Sequence, residues 1–204
     1  MKELWSAVVS LVAPPRCAAC GQSFDGGDAF CQDCAIFVQS APDSGAVFEY
    51  GGPVADAIRR YKYGGRSELA RPLGYCLAGA ADPFVGSVDI VVPVPLHWKR
   101  RRSRGYDQAA LLVRPVARKV KSRSGFRVLR RVRATPRQSG LGRRARLRNV
   151  AGAFAAKPLP GSPRILLLDD VVTTGATLRA ARQALAEAGA GEVHSLALAV
   201  RVLG

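Results

Sequence analysis

The stretch ILLLDDVVTTGATL, Ile165 to Leu178, decides how this chain is read. Four aliphatic residues run into Asp169 and Asp170, then into two valines and a small, hydroxyl-rich turn. The apolar block predicts a buried strand over Ile165 to Leu168. The spacing beyond the turn predicts a helix over Thr177 to Ala188. In open parallel sheets ligands sit beyond the carboxyl ends of strands, and helix N-termini there favour anions. The turn Thr173, Thr174, Gly175, Ala176, Thr177 offers consecutive backbone N–H groups, hydroxyl donors and a glycine free in φ, which is what a phosphate needs. The two carboxylates are acceptors. They suit a pair of ribose hydroxyls or the water shell of Mg2+. A sugar phosphate satisfies both halves of the stretch.

Outward from this stretch the pattern alternates. AVFEYGG (Ala46 to Gly52) predicts a short strand ending in a glycine turn. Val54, Ile58 and Tyr61 fall at helical spacing, with Pro53 in the first turn and Gly64 as the stop. A second helix is expected over Glu68 to Ala81. VDIVVPVP (Val88 to Pro95) reads as a buried strand closed by a rigid proline loop. Asp107 to Lys121 reads as a helix begun by Asp107, with Pro115 leaving a kink or an early end. FRVLRRVRAT alternates as a strand, and QSGLGRRARLRNV reads as a mobile basic loop with a short helix. Val193 to Val200 is the final strand. Strands alternating with helices imply an α/β fold with a parallel or mostly parallel sheet covered on both faces.

Composition limits the function. The 204 residues are 48% hydrophobic, enough to fill a core. No apolar run reaches the roughly 18–20 residues that cross a bilayer. Leu4, Val8, Leu11 and Val12 form the stripe of an amphipathic N-terminal helix rather than a secretory signal, so a cytoplasmic location is expected. The net charge of +16 is concentrated: Lys99 to Arg148 holds nineteen basic residues against the one acid Asp107. That segment reads as a phosphate site, a nucleic-acid face, or both.

Four of the five cysteines form two C-x2-C pairs, Cys17 with Cys20 and Cys31 with Cys34. Each pair can wrap a tight turn around one tetrahedral Zn2+, and two pairs close the coordination shell, so the site is expected to be structural. Two redox pairs or two disulfides are the rival readings. Neither explains why the pairs occupy a segment too short to bury its own core. Cys76, without a paired partner, reads as a buried thiol. The expected division is a helix and zinc module over 1–44 and an α/β domain over 45–204.

ILLLDDVVTTGAT resembles the phosphoribosyl diphosphate motif of type I phosphoribosyltransferases, with the acid pair and the Thr-Thr-Gly-x-Thr loop in register. CAAC…CQDC, YGGPVADAIRRYKYGG, VVPVPLHWKRRRSRGYDQA and TPRQSGLGRRARLRNVAGAF narrow the resemblance to the ComF family of competence-associated, phosphoribosyltransferase-like proteins. The resemblance covers nearly the whole chain. Asp107 stands where that family's signature usually has Asn.

The resemblance implies that Asp169 and Asp170 contact ribose hydroxyls and that Thr173 to Thr177 cradle the 5′-phosphate. The Val92 to Pro95 turn, including Val94 and Pro95, would face the diphosphate and its Mg2+, helped by Lys99 or Arg100. Arg104, Gly105, Tyr106 and Gln108, with Gln138, Arg144 and Asn149, would belong to a flap. Either acid could act as a general base if phosphoribosyl is transferred to an acceptor. His97 sits beside the diphosphate turn, and His194 reads as structural. The family's link to DNA uptake implies an alternative function, a non-catalytic adaptor that contacts single-stranded DNA and works with a helicase-like competence protein.

Overall fold

In the computed structural model, which describes residues 15–133, 150 and 152–201, the strand extends beyond Leu168. Strand β6 runs Ile165–Val172, so the two acids lie inside it. It is the centre of a five-stranded sheet ordered β1-β7-β6-β2-β3, with every neighbouring pair parallel. The other strands are β1 (Ala46–Glu49), β2 (Ile90–Pro93), β3 (Arg123–Ser124) and β7 (Val193–Val200). A separate antiparallel pair joins β4 (Leu129–Arg131) to β5 (Phe154–Ala156).

The strand side chains alternate between two cores. Leu166 and Leu168 pack on the face that carries α2 (Gly52–Tyr63), α3 (Ala70–Ala80) and α5 (Gln108–Lys119). Ile165 and Leu167 pack on the other face, against α6 (Ala176–Glu187) and the β4–β5 pair. The helices that follow β2 and β6 therefore lie on opposite faces. Between two such strands an open sheet leaves a crevice.

Several expectations shift by a few residues. The second helix splits into a 3-10 turn at Ser67–Leu69 and the α-helix α3. Helix α5 continues through Pro115 to Lys119. The proline ring packs against α3, where a Cβ on Gly74 would stand 2.9 Å from Pro115 Cγ. Among its described residues FRVLRRVRAT contributes only the three residues of β4, outside the main sheet. The chain leaves the sheet edge at Gly125, whose N–H donates to Val91 O. A side chain there would meet Ile90 and Val92 at under 3 Å. Short helices α1 (Gln32–Ala35) and α4 (Trp98–Arg104) and 3-10 turns at Pro42–Ser44 and Asp82–Phe84 are the remaining named elements. The amphipathic stripe of residues 4–12, and the basic loop with Gln138, Arg144 and Asn149, lie outside the described residues. No helix among the described residues is long and apolar enough to cross a membrane.

Among the described residues, the cysteine segment shares its interior with the sheet domain. Cys17, Ala18, Ala29, Phe30 and Cys31 are buried in the same core as Ile58 and Tyr61 of α2, and Phe30 meets Phe48 edge-on at 5.9 Å.

Candidate phosphoribosyl diphosphate cleft and cysteine module

The cleft opens because β6 loses a neighbour. Its pairing with β2 ends at Pro93↔Leu168, followed by one bond from Val94 N–H to Leu168 O. Pro95 has no N–H to continue the ladder. Beyond Leu168 only β7 stays paired with β6, through Asp169↔Ala197 to Val172↔Val200. The space between the diverging β2 loop and β6 is a cleft of about 810 Å³.

Period-two alternation explains why the acids are adjacent: it sends them to opposite faces of the strand. Asp170, 9% exposed, points towards α2, where Lys62 Nζ donates to its Oδ1 at 2.7 Å. Asp169 follows Ile165 and Leu167 towards the β4 side. Its Oδ1 accepts the Asp170 N–H at 2.8 Å. Burial, then the Asp170 charge, push the Asp169 carboxyl up to about 8, with Lys62 and Arg131 pulling the other way.

The turn after β6 has the expected form. Gly175 is left-handed (φ 68°) and caps the twelve-residue helix α6. Arg179 Nη2 donates to Thr174 O at 2.9 Å and braces the turn from below. Thr174 Oγ1 is buried with no partner among the described residues, so the turn retains an unspent hydroxyl.

Of the site residues expected from sequence, Val94, Pro95, Arg104, Asp169, Asp170, Thr173, Gly175, Ala176 and Thr177 line the cleft together. Thr174, Gly105 and Gln108 do not line it. Gln108 is fully buried, and its Oε1 accepts from Arg104 Nη1 at 3.0 Å. Lys99 and Arg100 lie on α4, whose exposed Trp98, Arg101 and Arg102 stand in the same short helix. His97 is buried with its ring 5.6 Å from that of Trp98, and His194 lies 3.3 Å from Glu192.

Among the cleft residues to which sequence reasoning gave no individual role are Lys62, Tyr63, Arg131 and Arg201. The motif YKYGG at the end of α2 holds Lys62 and Tyr63, and Arg131 belongs to the basic segment Lys99 to Arg148. Neither signal singles out a lysine or arginine for the cleft. The role of Asp107 also proves larger than a helix cap. Its Oδ1 accepts Ala110 N–H at 3.2 Å while Oδ2 accepts Leu96 N–H at 3.0 Å, tying the β2 loop to α5. Burial, then Asp170, raise its pKa against those two donors.

Away from the cleft, the thiol sulfurs of Cys17, Cys20, Cys31 and Cys34 all lie within 4.8 Å of one another. Cys20 and Cys31 are 3.7 Å apart, against about 3.8 Å for two sulfurs at tetrahedral Zn–S distances. All four are free thiols. Burial opposes ionisation of Cys17, but N–H groups of Cys31, Cys20 and Ala19 outweigh it and bring its pKa down to about 6. Cys34 is pushed up to about 12 by burial and by the neighbouring thiols. The donor set is four sulfurs around one point, which could hold a zinc ion. Arg60 Nη1 braces the first pair by donating to the carbonyls of Cys17, Ala18 and Ala19 at 2.8–3.1 Å.

A parallel sheet with an acid pair, a left-handed glycine turn and a facing proline loop defines a phosphoribosyltransferase-like α/β protein, here carrying a four-cysteine module. The phosphoribosyl transferase domain family matches residues 107–201. The chain is 33% identical over 154 residues to the DNA utilization protein YhgH of Escherichia coli K12, covering 72% of this chain and 67% of that protein. It is 28% identical over 193 residues to competence protein F of Haemophilus influenzae, covering 91% and 84%. It is 29% identical over 175 residues to competence protein ComFC of Streptococcus pneumoniae, covering 82% and 74%. The chain belongs to the ComF family of phosphoribosyltransferase-like proteins.

Proposed function

We propose that the cleft binds phosphoribosyl diphosphate together with Mg2+. The observation that carries this reading is one cleft lined by an acid pair, a left-handed turn at the N-terminus of a long helix, and a proline loop. Asp169 and Asp170 accept the ribose hydroxyls, and Thr173 to Thr177 hold the 5′-phosphate. The Val94–Pro95 loop, with Lys99 and Arg100, faces the diphosphate. Lys62, Arg104, Arg131 and Arg201 supply cationic walls to a polyanionic ligand.

The acid pair by itself is poorly suited to hold a resident Mg2+. Asp170 is paired with Lys62, and the raised pKa of Asp169 disfavours its metal-binding form. The metal therefore enters on the diphosphate. The cysteine module binds structural Zn2+.

Transfer of the phosphoribosyl group to an acceptor would follow from displacement of diphosphate at C1. The chain's residues would contribute by positioning the ribose and neutralising the departing charge. Calorimetry with phosphoribosyl diphosphate and Mg2+ tests the site. The wild type should bind, and Asp169→Asn/Asp170→Asn should bind far more weakly. Undiminished binding by the double variant would remove the assignment. Diphosphate release with candidate amines and bases tests turnover.

A second reading, favoured by α4, is a single-stranded DNA adaptor working with a helicase-like competence protein. Trp98 is 57% exposed beside exposed Arg101 and Arg102, offering a stacking ring and phosphate contacts in one helix. Single-stranded DNA affinity should fall with salt, and Arg101→Ala/Arg102→Ala should flatten the slope by about 0.7 per lost phosphate contact. A salt-independent affinity would count against it.

A further inference from the structure

We propose that Lys62 is a positioning residue of the cleft: from the last turn of α2 it holds Asp170 oriented as the acceptor for a ribose hydroxyl. The inference rests on the phosphoribosyl diphosphate reading of the site. Lys62 and Asp170 are separated by 108 residues in sequence, yet Nζ and Oδ1 meet at 2.7 Å with side chains 16% and 12% exposed. An ion pair this shielded from water is screened little by salt. It engages Oδ1, and a carboxylate has a second oxygen with which to accept a hydroxyl.

The lysine is itself held. The preceding residue, Tyr61, is fully buried, and its OH donates to Gln108 O at 2.8 Å. Tyr106 OH donates to Tyr61 O from the turn before α5. Arg60 is fastened to the carbonyls of the cysteine loop. These contacts fix the last turn of α2, so the ammonium is delivered to one place rather than sampled by a free chain.

Lys62 also acts on the neighbouring acid. The titratable groups around the pair are Asp169 and Asp170 on β6, Lys62 with the neutral Tyr61 on α2, Asp107 and the neutral Tyr106 before α5, and Arg131 on β4. Lys62 is the largest influence among them pulling Asp169 towards its ionised form. Without it Asp169 keeps its proton to higher pH, and ligand binding that needs the carboxylates moves up in pH with it.

The test is calorimetry of phosphoribosyl diphosphate with Mg2+ between about pH 6 and 9, spanning the raised Asp169 titration. It compares wild type, Lys62→Met and Lys62→Arg, with melting curves to establish that each is folded. Lys62→Met should bind at least about tenfold more weakly at neutral pH, the order expected for losing a charged contact. Its pH midpoint should rise by about one unit. Lys62→Arg should recover most of both. Lys62→Gln replaces the Met variant should that one fail to fold. Wild-type affinity and an unmoved pH profile in Lys62→Met would overturn the inference and leave the cleft assignment standing. Equal weakening in Met and Arg variants with no pH shift would overturn it too, because it would mark a merely structural lysine. A wild type that binds no phosphoribosyl diphosphate overturns the cleft assignment and this inference together.

Discussion

Replacing Gly175 with alanine tests the turn that would hold the phosphate. Gly175 is left-handed at φ 68°, and an added Cβ would stand 3.1 Å from Arg179 Nη1. The conformation alone costs a non-glycine residue about 1–2 kcal/mol. Moving Arg179 aside loosens its bond to Thr174 O, worth about 0.5–1.5 kcal/mol. The sum is about 1.5–3.5 kcal/mol, or roughly 3–14 °C in melting temperature for a chain of this length. Gly86 separates the two contributions. It is also left-handed, at φ 73°, but its Cβ would meet nothing within 4 Å and it lies outside the cleft. Gly86→Ala should therefore show the conformational cost only, about 1–2 kcal/mol. Differential scanning calorimetry of both variants gives the stability difference, and titration with phosphoribosyl diphosphate gives the ligand effect. Gly175→Ala should melt lower than Gly86→Ala and should lose affinity. Equal melting temperatures, with ligand binding intact in Gly175→Ala, would refute the account of the turn.

Metal analysis should find about one zinc per chain, falling to none in Cys17→Ser/Cys20→Ser. Arg60→Ala should keep the zinc while melting about 4–8 °C lower, through loss of a charged donor worth about 2 kcal/mol. Asp107→Ala removes acceptors from both Leu96 and Ala110, and should cost about 2–4 kcal/mol while weakening ligand binding through the freed loop. Asp107→Asn keeps one acceptor oxygen and should cost less. Its pH response carries a sign. Burial raises the Asp107 pKa, so the folded state holds that proton harder than the unfolded one. The contribution of Asp107 to stability therefore declines as pH rises from about 4, and the Asn variant, measured by urea melts across pH, should lack that part of the pH dependence.

The turn after β6 was legible in the sequence because its signals are local. An apolar block, a glycine needing free φ and a helical period lie within fourteen residues. The length of β6 was not legible. The acids look like the end of a strand, but Val171 and Val172 stay paired to β7 after β2 has departed. Helix α4 was missed because WKRRRSR has no apolar face to give a period. The edge strand β3 is two residues long and sets up no alternation. Lys62 was invisible for a different reason. A lysine one residue from a helix end is ordinarily a solvated side chain, and the fold, by bringing the end of α2 to β6, makes it a partner for Asp170. The cysteine spacing predicted a convergent tetrad correctly, yet spacing could not show that its loops share a core with α2.

That shared core gives the small module a mechanical consequence. Two residues along an α-helix is a rotation of roughly 200°, so Arg60 and Lys62 leave α2 on nearly opposite sides. One reaches the carbonyls of the first cysteine turn, and the other reaches the acid at the cleft. Tyr61 between them points into the core and donates to Gln108 O. Helix α2 is thus clamped from both flanks over a single turn. A displacement of the cysteine loops cannot be absorbed by a flexible linker, because Arg60 connects them to backbone one residue from Tyr61. The same turn must then carry the movement to Lys62. The expected outcome is that Cys17→Ser/Cys20→Ser weakens phosphoribosyl diphosphate binding in calorimetry at temperatures where circular dichroism still shows the sheet folded.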